Sequence, residues 1–204
     1  MERTPEHADR IVGLYERHAR AYAHGRSDSL QERAWLDRFL AHVRPGGVVL
    51  DLGCGGGEPV ARYVVDRGLG VFGVDASPSM IELFRERLPG AEWRVGDMRT
   101  LALGRRFAGI LAWDSFFHLD RDAQRRMFPR FAAHAEDGAP LMFSSGPREG
   151  EAIGSFQGEP LYHASLGAPE YEDLLAANGF RVDAHAAEDP ECGDHTVWLA
   201  VYGG

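Results

Sequence analysis

Val48-Val49-Leu50-Asp51-Leu52-Gly53-Cys54-Gly55-Gly56-Gly57 is an apolar run that ends in an acid and a glycine-rich turn. The residues after it, Val60 to Arg67, carry a helical pattern. A buried strand that passes through such a turn into a helix brings a ligand against bare backbone. The helix start then offers free N–H groups to an anion. The stretch therefore reads as a cofactor loop.

Outward from this loop, apolar strands and helices alternate. Val71 to Asp75 is read as a strand and Pro78 to Leu88 as a helix. Glu92 to Val95 is a short strand, Phe107 to Trp113 a strand, Arg121 to Ala135 a helix, and Ala139 to Ser144 a strand. Such alternation implies an α/β fold with a parallel sheet and helices on both faces. Pro169 to Asn178 is a further helix, closed by Gly179. Phe180 to Ala187 and Thr196 to Tyr202 are strands joined by a short turn over Pro190 to Gly193, so they must be antiparallel. The expected sheet has seven strands, mostly parallel, with the last one reversed.

Two helical stretches precede the sheet. Pro5 to His24 places Ile11, Leu14, Tyr15, Ala19 and Tyr22 at helical spacing. Asp28 or Ser29 is the expected cap of a second helix carrying Leu30, Trp35, Leu36, Phe39, Leu40 and Val43. The 204 residues suit a single domain, with residues 1–44 expected as an N-terminal helical lid and 45–204 as the core. Residues 146–168 are expected as a long functional loop on the substrate side.

Ligands of open parallel sheets bind at the carboxyl ends of the strands. Asp51 to Gly57, Asp75, Gly96-Asp97, Asp114 and Ser144-Ser145 gather there. The reversed last strand starts at the same edge, with Asp194 and His195. A dinucleotide fingerprint needs a sixth-place glycine, but counting from Gly53 that place holds Glu58. Instead an acid ends each of the first three strands. Asp75 suits two ribose hydroxyls, and Asp97 an adenine amino group with Met98 packing on the ring.

These motifs resemble the class I S-adenosylmethionine-dependent methyltransferase family over nearly the whole chain. DLGCGGG is similar to its first motif, VFGVDAS to its second, GDM to its third and ILAWDSFFHL to its fourth; EYEDLLAANGF is similar to its ending. The resemblance implies a Rossmann-like sheet and S-adenosyl-L-methionine as cofactor. It places Asp51 and the backbone of Gly53 and Gly55 at the methionyl part, Asp75 and its neighbour Ala76 at the ribose, and Asp97 and Met98 at the adenine. Trp113 and Asp114 are expected beside the methionyl group. YERHARAYAHGR is similar to the lid helix of such enzymes, so Tyr15, Tyr22 and Arg26 are expected to cover the cofactor, with Arg26 pairing its carboxylate.

Methyl transfer needs alignment, exclusion of water and, for a neutral hydroxyl, a base; a free amine can do without one. The candidate bases are His118, His163 and His195. Phe117, Glu151, Glu159, Tyr162 and His163 are candidate substrate contacts. Cys192 and His195 lie three apart, but no second close pair accompanies them, so no metal site is expected.

Hydrophobic residues make up 44% and charged residues 26%, ordinary values for a soluble globular protein. The net charge of −9 argues against nucleic acid and anionic membranes as partners. Neither a signal peptide nor a membrane span is apparent, and the expected location is the cytoplasm. The expectation is methyl transfer to the oxygen or nitrogen of a small molecule. A non-methylating or inactive protein on the same fold is an alternative, as is an NAD-dependent oxidoreductase, which Glu58 disfavours.

Overall fold

The computed structural model describes residues 5–25 and 30–203. Its centre is a seven-stranded sheet in the order β3-β2-β1-β4-β5-β9-β8. The strands are β1 (Val48–Leu52), β2 (Gly70–Asp75), β3 (Glu92–Val95), β4 (Gly109–Ala112), β5 (Pro140–Ser145), β8 (Phe180–Asp189) and β9 (His195–Tyr202). Neighbours from β3 to β5 are parallel, and β9 runs antiparallel to both β5 and β8. This is the sheet the alternation predicts. Strand order reverses between β1 and β4, and in an open sheet that reversal creates the ligand crevice.

Strand alternation divides the core in two. Leu50, Leu52, Ile110, Ala112, Leu141 and Phe143 point to one face, against α5 (Arg121–His134) and α6 (Ala168–Ala177) through Phe128, Phe131, Tyr171 and Leu175. Val49, Val71, Leu111, Met142 and Leu199 point to the other, against α2 (Arg33–His42), α3 (Val60–Asp66) and α4 (Pro78–Arg87). Local chemistry sets the helix starts. The Ser77 hydroxyl caps α4 by accepting the Met80 N–H at 3.2 Å, with Pro78 at the first position; the Asp120 carboxylate caps α5 through the Ala123 N–H at 2.7 Å.

Two expectations change. The lid was expected over residues 1–44, but α2 is a layer of the core: Trp35, Leu36 and Phe39 are buried against Val49, Leu111 and Met142. Its apolar stripe covers the sheet. Helix α1 (Pro5–Gly25), kinked at His18, overlies the ligand edge. The expected caps Asp28 and Ser29 lie outside the described residues. The second change concerns residues 146–168, which are not a plain loop. They form an antiparallel hairpin, β6 (Gly150–Phe156) and β7 (Glu159–Ser165), turning at Gln157-Gly158. Tyr162 and Ala164 on β7 bury themselves against Ala8, Ile11 and Leu14 of α1. Among the described residues, no helix is long and apolar enough to cross a membrane.

Candidate active site

The glycine loop is bolted to β2. The N–H groups of Gly53 and Cys54 both donate to the Val74 carbonyl, at 2.7 and 3.1 Å, and the Gly55 N–H donates to Asp75 Oδ2 at 3.0 Å. Gly53 has φ +73°, and a Cβ there would stand 2.3 Å from the Ser115 Cβ, so no larger residue fits. The Ser77 N–H donates to the second Asp75 oxygen at 2.9 Å. Burial nevertheless pushes the Asp75 carboxyl above its ordinary range, with nearby Glu16 adding to the effect. A ligand bringing hydroxyl donors would relieve that cost.

A cleft runs past this carboxylate. Gly53, Gly55, Asp75 and Ala76 line it, followed by Gly96, Asp97 and Met98; Ile11, Tyr15 and Tyr22 of α1 cover it. Burial alone would push Asp97 up, but the side-chain and backbone N–H groups of Arg99 outweigh it and hold the carboxylate low. At the glycine loop the cleft meets a smaller space lined by Asp51, Gly53, Gly55, Tyr22 and Trp113. The indole N–H of Trp113 is buried and meets no acceptor among the described residues.

A second compartment opens on the far side of Tyr22. Its wall includes Tyr15, Glu32, Trp113, Asp114, Phe156 and His195. Tyr15 and Asp114 belong to both this compartment and the first cleft. Asp114 has φ +47°, a strained backbone for a residue with a side chain, of the kind that collects at functional sites. The bond from its N–H to the Ser144 Oγ, at 2.9 Å, holds it there.

The three histidines have different environments. His118 is buried, with Nδ1 2.7 Å from the Tyr162 carbonyl and Nε2 2.9 Å from the Tyr15 hydroxyl. A carbonyl can only accept, so Nδ1 carries the hydrogen and Nε2 receives that of Tyr15. Burial lowers this ring to about 4 and keeps it neutral. His195 is the opposite case. Its Nε2 lies 3.0 Å from Asp114 Oδ1, its Nδ1 donates to the Cys192 carbonyl at 2.7 Å, and the ring stacks on Trp113. The bond to Asp114 raises it to about 9, so it is an imidazolium at neutral pH. His163 packs on Phe117 and His118 and is lowered by burial.

The hairpin reaches the second compartment with Phe156, Gln157 and Leu161. The expected substrate contacts Phe117, Glu151, Glu159, Tyr162 and His163 do not line the three spaces described. Alternation explains Tyr162: its neighbour Leu161 faces the compartment, which turns Tyr162 onto α1. Glu159 is tied to Arg17 and His18 of α1, and Glu151 lies 3.6 Å from Arg121. Arg26 lies outside the described residues. Glu58 lines the smaller space and sits between Arg62 and Arg87 at 3.7 and 3.3 Å.

Sequence reasoning missed Glu16. From α1 its carboxylate accepts from the Ser77 hydroxyl, the Ser79 N–H at 3.0 Å and the Ser79 hydroxyl at 2.8 Å, at the first turn of α4. These bonds hold the Glu16 carboxyl low. In sequence it is one more polar residue on a surface helix.

Residues 49–138 match the model of a family described as a methyltransferase domain. Over these residues, from β1 to the turn before β5, the chain is similar to methyltransferases. A dTDP-3-amino-3,6-dideoxy-alpha-D-glucopyranose N,N-dimethyltransferase of Streptomyces fradiae is 36% identical over 95 residues, which are 46% of this chain and 37% of that protein. The dTDP-3-amino-3,4,6-trideoxy-alpha-D-glucopyranose N,N-dimethyltransferase of Streptomyces venezuelae is 27% identical over 139 residues, 67% of this chain and 56% of the relative. The matches thus span roughly a third to a half of these curated relatives. The 1,6-didemethyltoxoflavin-N1-methyltransferase of Burkholderia thailandensis superposes with a TM-score of 0.77 at 21% identity, covering 100% of this chain and 92% of that one. That likeness establishes the fold.

Proposed function

We propose that this chain transfers the methyl group of S-adenosyl-L-methionine to a nitrogen or oxygen nucleophile of a small molecule. One observation carries the reading: a cleft lined by the glycine loop, Asp75 and Asp97 meets a second compartment at Tyr15, Tyr22 and Asp114. In this reading Asp75 holds the ribose hydroxyls, Asp97 and Met98 the adenine, and the backbone of Gly53 and Gly55 with Asp51 and Trp113 the methionyl end. When bound, the cofactor supplies an activated methyl on a sulfonium, a leaving group that needs no metal. Tyr15 and Tyr22 cover it and keep water out. The acceptor lies between Trp113, Phe156 and the hairpin tip.

The relatives support a small acceptor, since their names specify nucleotide-linked amino sugars. The net charge of −9 speaks against nucleic acid. The free thiols Cys54 and Cys192 suit a reducing compartment, and we place the reaction in the cytoplasm. Calorimetry with S-adenosylmethionine and with NAD tests the reading: the first is expected to bind and the second not. Failure of S-adenosylmethionine to bind would overturn it.

A further inference from the structure

Asp114 stands at the junction of the two compartments, where a methyl group would cross. Three features hold it there: the left-handed backbone, the Ser144 hydroxyl, and His195 Nε2 at 3.0 Å. His195 reaches it from the opposite strand direction, because β9 is reversed and begins at the ligand edge. The groups around the imidazole are the Asp114 carboxylate after β4, Glu32 before α2, the Cys192 carbonyl before β9, and the Trp113 ring beneath it. With both ring nitrogens protonated and engaged, His195 has no lone pair to offer a substrate.

The other groups near the crossing are poor bases too. The Nε2 lone pair of His118 receives the Tyr15 hydroxyl. His163 lines neither of the spaces that meet at Asp114. Asp114 Oδ1 already accepts from the His195 imidazolium and from the Ser144 hydroxyl at 3.3 Å. An alcohol acceptor needs a proton removed during transfer; an amine, once neutral, does not, since its lone pair is available.

Resting on the methyl-transfer reading, we propose that the acceptor is an amine, that the Asp114 carboxylate receives its N–H, and that His195 is the residue that positions Asp114. The bound ammonium first gives one proton to water; the neutral amine's lone pair then forms the N–CH₃ bond while the C–S bond breaks, its electron pair staying on sulfur. Positive charge passes from sulfur to nitrogen, and the resulting ammonium sheds its proton to water. Asp114 steers the lone pair by holding the N–H and stabilises the charge as it arrives. The faces of Tyr15, Tyr22, Trp113 and Phe156 favour the same cation.

The test uses the full chain saturated with S-adenosylhomocysteine, titrated at pH 7 with benzylamine and with benzyl alcohol and followed by NMR of the tryptophan indole N–H signals. Benzylamine is expected to bind at least about fivefold more tightly than the alcohol, the advantage of a charged donor meeting a carboxylate and aromatic faces. Asp114→Asn should erase that preference by more than any change in S-adenosylhomocysteine affinity. His195→Ala should reduce it, and His195→Gln, which keeps an N–H donor, should restore part. Equal or tighter binding of the alcohol to the unaltered protein overturns the proposal, as does a preference that survives Asp114→Asn. Absence of S-adenosylhomocysteine binding is a separate outcome: it removes the methyl-transfer reading itself, and this proposal with it.

Discussion

The Gly55 N–H donates to Asp75 Oδ2 at 3.0 Å, joining the glycine loop after β1 to the acid that ends β2. One carboxylate thus shapes the loop and faces the cleft. Asp75→Ala is expected to weaken S-adenosylmethionine binding by about 1.5–3 kcal/mol, the worth of hydrogen bonds to a charged group. Calorimetry measures this directly, and unchanged affinity would remove Asp75 from the ribose site.

Gly53→Ala probes the loop itself. A left-handed φ costs an alanine about 1–2 kcal/mol, and the new Cβ would collide with Ser115. A loss of at least about 2 kcal/mol is expected, lowering Tm by roughly 4–8 °C for a chain of this size. Calorimetric melting checks it; a wild-type Tm would mean the turn is looser than described.

Glu16 binds α1 to the start of α4 through Ser77 and Ser79. Glu16→Ala should cost about 1–2 kcal/mol of α1 docking. The expected readout is severalfold faster cofactor release in stopped-flow, since α1 covers the cleft. An unaltered release rate would show that α1 does not gate it.

His118 and His195 predict opposite pH limbs of stability. His118 titrates near 4 folded but near its ordinary value unfolded, so the unfolded chain binds more protons between them. Its contribution is lost as pH falls below about 6.5. His195 titrates near 9 folded, so its contribution is complete below about 6.5 and lost as pH rises through 9. Denaturant unfolding from pH 4 to 10 should show both limbs. His118→Asn should flatten the acid limb and His195→Gln the alkaline one; limbs unmoved by either variant would refute the assignment.

The sheet was legible because strand-helix periodicity and turn chemistry are local. Val48 to Gly57 shows its strand, acid and glycines within ten residues, and Gly53 and Gly55 do occupy a tight turn with positive φ. The residues between β5 and α6 were less legible. Glu151, Ser155 and His163 lack the clean alternation of a half-buried strand, and β6 is largely exposed, so the hairpin pairing of residues 150–156 with 159–165 left no periodic trace. The second helical stretch failed differently: its apolar stripe was visible, but a stripe does not say whether it covers a sheet or a ligand.

The sequence by itself determined the order of the main sheet's strands and their helices, the reversed last strand and the acids at the carboxyl edge, since these follow from patterns within a few residues. Tertiary structure alone decided what each polar group meets. His118 and His195 look alike in the chain, yet one is buried between Tyr15 and a carbonyl and stays neutral, while the other faces Asp114 and is charged. The Asp114–His195 and Glu16–Ser77 contacts join residues 81 and 61 positions apart. Charge state and lone-pair direction depend on burial and on such distant partners, and no local pattern carries them.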